Sequence, residues 1–260
     1  MNKEQILKTF GEEDKHLISK IIDDIELCFD IEYVVYSNWF YPPSIWMKLS
    51  ELADYIGIKI LAFGLNEEAE KKLLGFYPQK IDLDISSSKP DIIFFEIDGR
   101  NKFNILYHKD FLGALMSLSI KRELIGDLVV KENICYGVTT ADIFKIIKES
   151  LDSIGKVPVK VCEISHNIIP KTEFKFITIT VSSSRIDAVI AELGNISRNE
   201  AVSKIESGEA LLNYRICKDK SFSLKKGDVI TIRKKGKFIF QDELGENKKG
   251  KLKLNFKQLI

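Results

Sequence analysis

The sequence predicts an α+β protein of more than one domain, on three observations. Strand-length apolar runs alternate with amphipathic stretches of helical period, turn signals separate them, and charge is unequally distributed along the chain. From Ser182 onward there are 17 Lys+Arg and 10 Asp+Glu, a balance of +7, while the preceding 181 residues carry −6. An acidic body therefore bears a basic terminal module, and a basic module attracts polyanions, most commonly nucleic acid.

The 260 residues are 45% hydrophobic and 30% charged, which is an ordinary globular composition. No segment approaches the ~20 apolar residues of a membrane span. Met1 to Glu13 is polar and acidic, without the apolar core of a signal peptide, so the expected location is the cytoplasm and no membrane partner is expected. Cys28, Cys135, Cys162 and Cys217 form no CxxC pair, which argues for buried free thiols and against a metal site.

Asp14 to Phe29 has Leu17, Ile21, Ile25 and Cys28/Phe29 on one helical face. Tyr33–Tyr36 is a candidate strand. Pro42-Pro43 opens a second helix through Trp46, Leu49, Ala53 and Ile56, ended by Gly57. A strand at Ile58–Phe63 and a short helix at Glu67–Leu74 complete an N-terminal α/β unit, residues 1–75.

Ser86-Ser87-Ser88-Lys89-Pro90 is a loop. Strands are expected at Ile92–Ile97 and Phe103–Tyr107, a helix from Lys109 to about Ile120, and short strands at Leu128–Val130 and Ile134–Val138. A further helix runs from Thr139 to about Ser153 with Gly155 as its cap, followed by a strand at Val157–Val161. This interleaving gives a ferredoxin-type, RRM-like middle domain, residues 76–165. It lacks the aromatic strand signature with which such sheets stack single-stranded bases. Lys121 and Arg122, after the apolar helix, are candidate phosphate ligands, with Glu123 as a partner for one of them.

The third module spans 176–241, with a basic extension at 242–260 and a possible edge strand at Lys251–Phe256. Its two helices, Ser184–Leu193 and Ser197–Ser207, each open with a capping pattern, Ser184-Arg185-Ile186-Asp187 and Ser197-Arg198-Asn199-Glu200. Arg185 and Arg198 thus occupy first helical positions, where a cation opposes the helix dipole at a cost of roughly 0.3–1 kcal/mol. Two such placements point to an anion, because backbone N–H groups, a positive dipole end and a guanidinium together make a phosphate site. Lys204, Arg215, Lys225 and Lys226 extend the basic surface.

The series Arg185-Ile186-Asp187, Ser197-Arg198-Asn199-Glu200-Ala201, Ile205-Glu206-Ser207-Gly208, Leu212-Asn213 and Leu224-Lys225-Lys226-Gly227-Asp228-Val229-Ile230 resembles the S-four (alpha-L) RNA-binding domain. The resemblance implies binding of structured RNA, with Arg185, Asp187, Ser197, Arg198 and Lys204 as contact candidates. Asp187 can instead orient an arginine, since a carboxylate repels phosphate. For the catalytic Arg-Leu-Asp motif of pseudouridine synthases the comparable string, Arg185-Ile186-Asp187, belongs to the binding module, and His108-Lys109-Asp110 resembles it weakly with the wrong spacing. The nucleotide-binding signatures of tyrosyl-tRNA synthetases are absent, and no glycine-rich methyl-donor loop of the hemolysin-type methyltransferases follows the module in this sequence.

Tyr107-His108-Lys109-Asp110-Phe111-Leu112-Gly113-Ala114-Leu115-Met116-Ser117-Leu118, Ile120-Lys121-Arg122-Glu123-Leu124-Ile125-Gly126-Asp127 and Gly155-Lys156-Val157-Pro158-Val159 resemble the bacterial YlmH family. That resemblance implies a non-enzymatic, monomeric protein, without cofactor, that binds rRNA, with tRNA as a further contact, on the large ribosomal subunit during rescue of stalled translation. Two alternatives stand beside it. One is a pseudouridine-synthase-like RNA-modifying enzyme using His108, Asp110, Lys121 and Glu123. The other is a cell-division scaffold.

Overall fold

Ile18, Ile21, Ile22 and Ile25 recur at the spacing of one helical face, and all are buried in the structure, a computed structural model that describes residues 3–10, 14–80, 89–101 and 103–259. They belong to α2 (Lys15–Ile31), which follows α1 (Lys3–Thr9). The chain continues through β1 (Val35–Tyr41), α3 (Pro43–Ile56), β2 (Ile58–Phe63) and β3 (Lys72–Pro78). Pro43 is the first residue of α3, where its missing N–H leaves no bond unmade and its ring presets a helical φ. The strands pair antiparallel in the order β1-β3-β2. One face of this sheet, with Tyr41, Leu74 and Phe76, packs on α2 and on Ile45 and Leu49 of α3.

The helix expected over Glu67–Leu74 is not formed: the chain turns and then enters β3 at Lys72. β3 is the central strand, hydrogen-bonded on both sides, with Leu73 in one core and Leu74 and Phe76 in another. An apolar run buried on both faces has no alternation to distinguish it from a helix. Gly75 lets the ring of Tyr36 lie against the strand, because a Cβ there would stand 2.6 Å from Tyr36 Cε1.

The second sheet is built from β4 (Ile92–Asp98), α4 (His108–Ser117), β5 (Ile125–Lys131), β6 (Ile134–Thr140), α5 (Ala141–Ser150), the hairpin β7 (Ser153–Ile154) and β8 (Val157–Pro158), and β9 (Lys160–Glu163). The order is β5-β6-β4-β9, antiparallel throughout. Phe103–Tyr107, expected as a strand, is irregular, and Gly155 is the left-handed corner (φ 60) of the β7–β8 hairpin rather than a helix cap. Of the predicted loop at 86–90, Ser86 to Ser88 lie outside the described residues.

Side chains alternate along β4. Phe95 and Ile97 join Phe111, Leu115, Phe144 and Ile147 beneath α4 and α5, whereas Phe94 packs with Val129 and Val138 against Phe40 and Leu73 of the first sheet. Residues Met1–Lys171 therefore form one unit of helices, sheet, sheet and helices.

Thr172–Ile260 forms a second unit. Its elements are β10 (Phe174–Val181), α6 (Ile186–Gly194), α7 (Arg198–Glu206), β11 (Ala210–Leu212), β12 (Val229–Ile232), β13 (Gly236–Glu246) and β14 (Leu252–Leu259). The antiparallel sheet runs β10-β14-β13-β12-β11. Ile186, Val189 and Ile190 of α6 and Ala201 and Ile205 of α7 pack against Phe238, Phe240, Leu254 and Phe256. The stretch after residue 241 is thus no appended edge: β14 lies inside the sheet, and Leu254 and Phe256 alternate into the core.

Candidate nucleic-acid interface

The site begins where α6 and α7 begin. Ser197 is the N-cap of α7, its Oγ accepting the N–H of Glu200 at 3.2 Å, and Arg198 follows as the first helical residue. At α6 the expected pattern shifts by one residue. Arg185 itself is the N-cap, with extended backbone (φ −65, ψ 139) and no capping hydrogen bond from its side chain. The cause is a bridge to the strand-like loop that follows β11. Ile186 N–H donates to Phe222 O at 2.8 Å, Leu224 N–H donates to Ser184 O at 3.0 Å, and Arg185 pairs with Ser223. Held extended, Ser184 cannot cap.

Asp187 joins the two helix starts. It is 4% exposed, and both oxygens are occupied. Arg185 donates from Nε to Oδ1 and from Nη2 to Oδ2, each at 3.2 Å. Arg198 donates from Nε to Oδ2 at 2.9 Å and from Nη2 to Oδ1 at 3.1 Å, and Ala188 N–H adds a bond of 2.9 Å to Oδ1. Burial pushes the Asp187 carboxyl up, but the hydrogen bonds from Arg198 and Arg185 outweigh it and hold the group below the usual carboxylate range. The same pairing raises Arg198 above the ordinary guanidinium value. The two arginine side chains remain 41% and 49% exposed. One carboxylate therefore fixes two planar cations, each with an outer N–H edge facing solvent, beside two helix N-termini. Asp187 was expected among the contact residues. Buried and fully bonded, it has no oxygen left for a ligand and is placed to orient the arginines.

The other predicted cations are distributed over the same unit. Lys204 pairs with Glu209 at 2.8 Å, and Arg233 reaches the same carboxylate at 3.4 Å. Arg215 closes a two-residue turn in which Asn213 (φ 48) and Tyr214 (φ 64) are both left-handed, with backbone bonds of 2.9 and 3.0 Å to Leu212. Asn213 straps this turn to the next, donating to Asp228 Oδ1 and accepting the N–H of Val229, each at 2.9 Å. Lys225 and Lys226 lie on that second turn, where Asp228 Oδ2 accepts Lys225 N–H at 2.7 Å and Gly227 takes φ 91. Lys226 is paired with Asp242 at 2.7 Å and is 74% exposed.

Lys121 and Arg122 lie in the other unit and differ from each other. Lys121 is exposed, its Nζ 5.9 Å from the ring centre of Trp39. Arg122 is partly buried and donates from Nη1 to Ile125 O at 3.0 Å and Gly126 O at 3.2 Å, so its guanidinium ties down its own loop rather than facing a ligand. Nearby, Asp127 Oδ2 accepts the N–H groups of Glu70 and Lys71, and Lys71 Nζ donates to Arg122 O at 2.8 Å. Burial lowers Lys71 to about 8. Asp110 accepts Tyr107 N–H at 2.8 Å as the first-turn acid of α4. Among the described residues no group of three His, Cys, Asp or Glu side chains can hold a metal, and no helix is long and apolar enough to cross a membrane.

Sequence reasoning missed the strap at Asn213 and Asp228 and the sharing of Glu209 between Lys204 and Arg233. In both cases the signal was a polar residue beside a glycine turn or strand end, which reads equally well as a solvated loop.

Residues 87–167 match the family described as "Putative RNA-binding domain in YlmH", and residues 184–230, from Ser184 to Ile230, match the S4 domain. The "Ribosome-associated protein quality control protein P2" of Bacillus subtilis (strain 168) is 27% identical over 221 residues, 84% of this chain and 85% of that protein. Among solved structures, "Cell division protein ylmH from Streptococcus pneumoniae" superposes with a TM-score of 0.50 at 26% identity, covering 61% of this chain and 95% of that one.

Proposed function

From the premise that the chain carries the YlmH RNA-binding domain followed by an S4 domain, we propose that it is a monomeric, cytoplasmic, non-enzymatic protein of ribosome-associated quality control. It binds ribosomal RNA on the large subunit, with tRNA as a second contact, during rescue of stalled translation. The similarity to a protein named for that process supports the process. The observation that carries RNA binding is the Asp187-clamped pair Arg185 and Arg198 at two helix starts, on a unit with a basic excess. In this reading the two arginines grip phosphates, and Ser197, Lys204, Arg215, Lys225 and Lys226 extend the track. Lys121 is a separate contact on the other unit. The strand-helix-strand-strand-helix-strand order of β4, α4, β5, β6, α5 and β9, interrupted only by the separate β7–β8 hairpin and with antiparallel neighbours, supports an RRM-like middle region.

The test is co-sedimentation with large subunits in a sucrose gradient. Arg185→Ala with Arg198→Ala should leave the folded protein at the top of the gradient, and unchanged co-sedimentation refutes the assignment. The name of the pneumococcal relative favours a second reading, a role in cell division. Pull-downs that keep their protein partners after nuclease treatment would favour it.

A further inference from the structure

The two helices of the C-terminal unit both pack on one face of its sheet. Ile179 and Val181 of β10, Phe238 and Phe240 of β13, and Leu254 and Phe256 of β14 point into that core. The residues that alternate with them point away from the helices. On that side Phe176, Lys257 and Ile239 form one row across three strands, and Phe176 is 66% exposed. Lys237, paired with Thr231 of β12, precedes Ile239 on the same side of β13.

Beside this face the β12–β13 turn concentrates charge. Arg233, Lys234, Lys235 and Lys237 fall within five residues, and the first three are exposed. The turn is held in shape. Lys234 (φ 66) and Gly236 (φ 112) take positive φ, Arg233 N–H donates to Glu209 O at 2.8 Å, and Lys235 N–H donates to Ile232 O at 3.0 Å. Gln258 of β14 donates to Lys235 O at 3.2 Å and ties the turn to the sheet. Aromatic rings support the two cations on the face. Lys237 Nζ stands 5.1 Å from the ring centre of Tyr214, and Lys257 Nζ stands 3.3 Å from that of Phe174. A ring places an ammonium group without neutralising it, so its charge remains available to an anion. Three carboxylates lie around the cluster. Glu209 is shared by Lys204 and Arg233, Asp242 pairs with Lys226, and Glu173 precedes β10.

We infer that this turn and the adjoining sheet face form a second RNA site, which takes the phosphate backbone. Arg233, Lys234, Lys235, Lys237 and Lys257 outnumber the carboxylates around them, in a unit that has a basic excess and carries an RNA-binding domain. Such a cluster fits a polyanion. The site lies outside the matched stretches, residues 87–167 and 184–230. It is also separate from the arginine pair. Arg198 opens α7, whereas Lys204 in the last turn of α7 reaches Glu209, which Arg233 shares. Six residues of helical rise, on the order of 10 Å, lie between Arg198 and Lys204. The RNA footprint therefore runs from the helix starts past the end of α7 and onto the sheet. The inference rests on the proposed RNA binding and adds a second contact to it.

The test is filter binding of the full chain to a large-subunit ribosomal RNA fragment across a salt series. Each phosphate contact contributes roughly 0.7–0.9 to the slope of log K against log salt. Lys234→Gln, Lys235→Gln and Lys257→Gln together should therefore lower the slope by about 2–3 and weaken binding about 10-fold or more. Added to Arg185→Ala with Arg198→Ala, the three substitutions should lower it by the same amount again, because separate sites act independently. Arginine at the same three positions should keep the wild-type slope, and a slope lost with arginine as well would mark a disturbed fold and overturn the inference. An unchanged slope in the glutamine variant overturns it too. So does a glutamine variant that binds RNA like the wild type but no longer co-sediments with ribosomes, since the surface would then meet an acidic protein. If the glutamine variant loses slope while the arginine-pair variant loses none, the assignment of the helix starts fails and the second site stands.

Discussion

Asp187→Asn separates an orienting carboxylate from a bystander by the sign of its effect. The substitution keeps the side-chain shape and removes a negative charge from a basic surface. If Arg185 and Arg198 were merely solvated cations, losing that charge would tighten RNA binding, since less repulsion would act on the phosphates. The structure predicts the opposite. Four guanidinium hydrogen bonds converge on a carboxylate that is 4% exposed. Bonds to a charged group are worth ~1.5–3 kcal/mol each when buried, but the arginines are 41% and 49% exposed, so water replaces much of what is lost. A net loss of about 1–2 kcal/mol is expected, which lowers the melting temperature of the C-terminal unit by roughly 5–15 °C. RNA affinity should fall about 10-fold, as two cations that were held in place become mobile. The assays are thermal unfolding and filter binding of a ribosomal RNA fragment across a salt series. The wild-type carboxyl is held below its usual range, so its contribution is present above about pH 4 and lost as pH falls further. The variant should therefore lose part of the acid dependence below pH ~4. Tighter RNA binding by a stable Asp187→Asn protein refutes the clamp.

Three further outcomes follow from the geometry. Arg122→Ala removes two bonds to backbone carbonyls and should destabilise the N-terminal unit by about 1–3 kcal/mol in denaturant titration, without changing the salt slope of RNA binding. Lys226→Ala, at an exposed pair, should alter stability by less than ~0.5 kcal/mol and reduce the salt slope by at most about 1. Asp24 has a buried oxygen without a hydrogen-bond partner, and burial raises its carboxyl to about 6. Its folded form holds a proton that the unfolded chain releases near pH 4, so stability falls as pH rises from ~4 to ~6. Asp24→Asn should flatten that interval in a melting-temperature series and raise the melting temperature at pH 7.

Much of the fold was legible where one face of an element is polar. The isoleucines of α2, the proline that opens α3 and the serine that caps α7 are local signals that tertiary packing left intact. The errors fell where both faces are buried or where pairing is long-range. Leu73 and Leu74 look helical because each enters a different core. Gly155 ends no helix because a hairpin intervenes, and Ser184 fails to cap because Phe222 and Leu224 draw its neighbourhood into a bridge. The placing of Arg185, Asp187 and Arg198 together could be anticipated from two helix starts eleven to thirteen residues apart, but not the burial of Asp187. Arg122 and Lys121 read alike in sequence, and only the carbonyls of Ile125 and Gly126 distinguish the anchored one from the exposed one.

Crosslinking the protein to RNA in living cells and sequencing what is bound tests the central claim most directly. The account predicts reads concentrated on large-subunit ribosomal RNA, lost when Arg185 and Arg198 are both replaced by alanine. Reads spread over messenger RNA, or a ribosomal footprint that survives that double substitution, would contradict it.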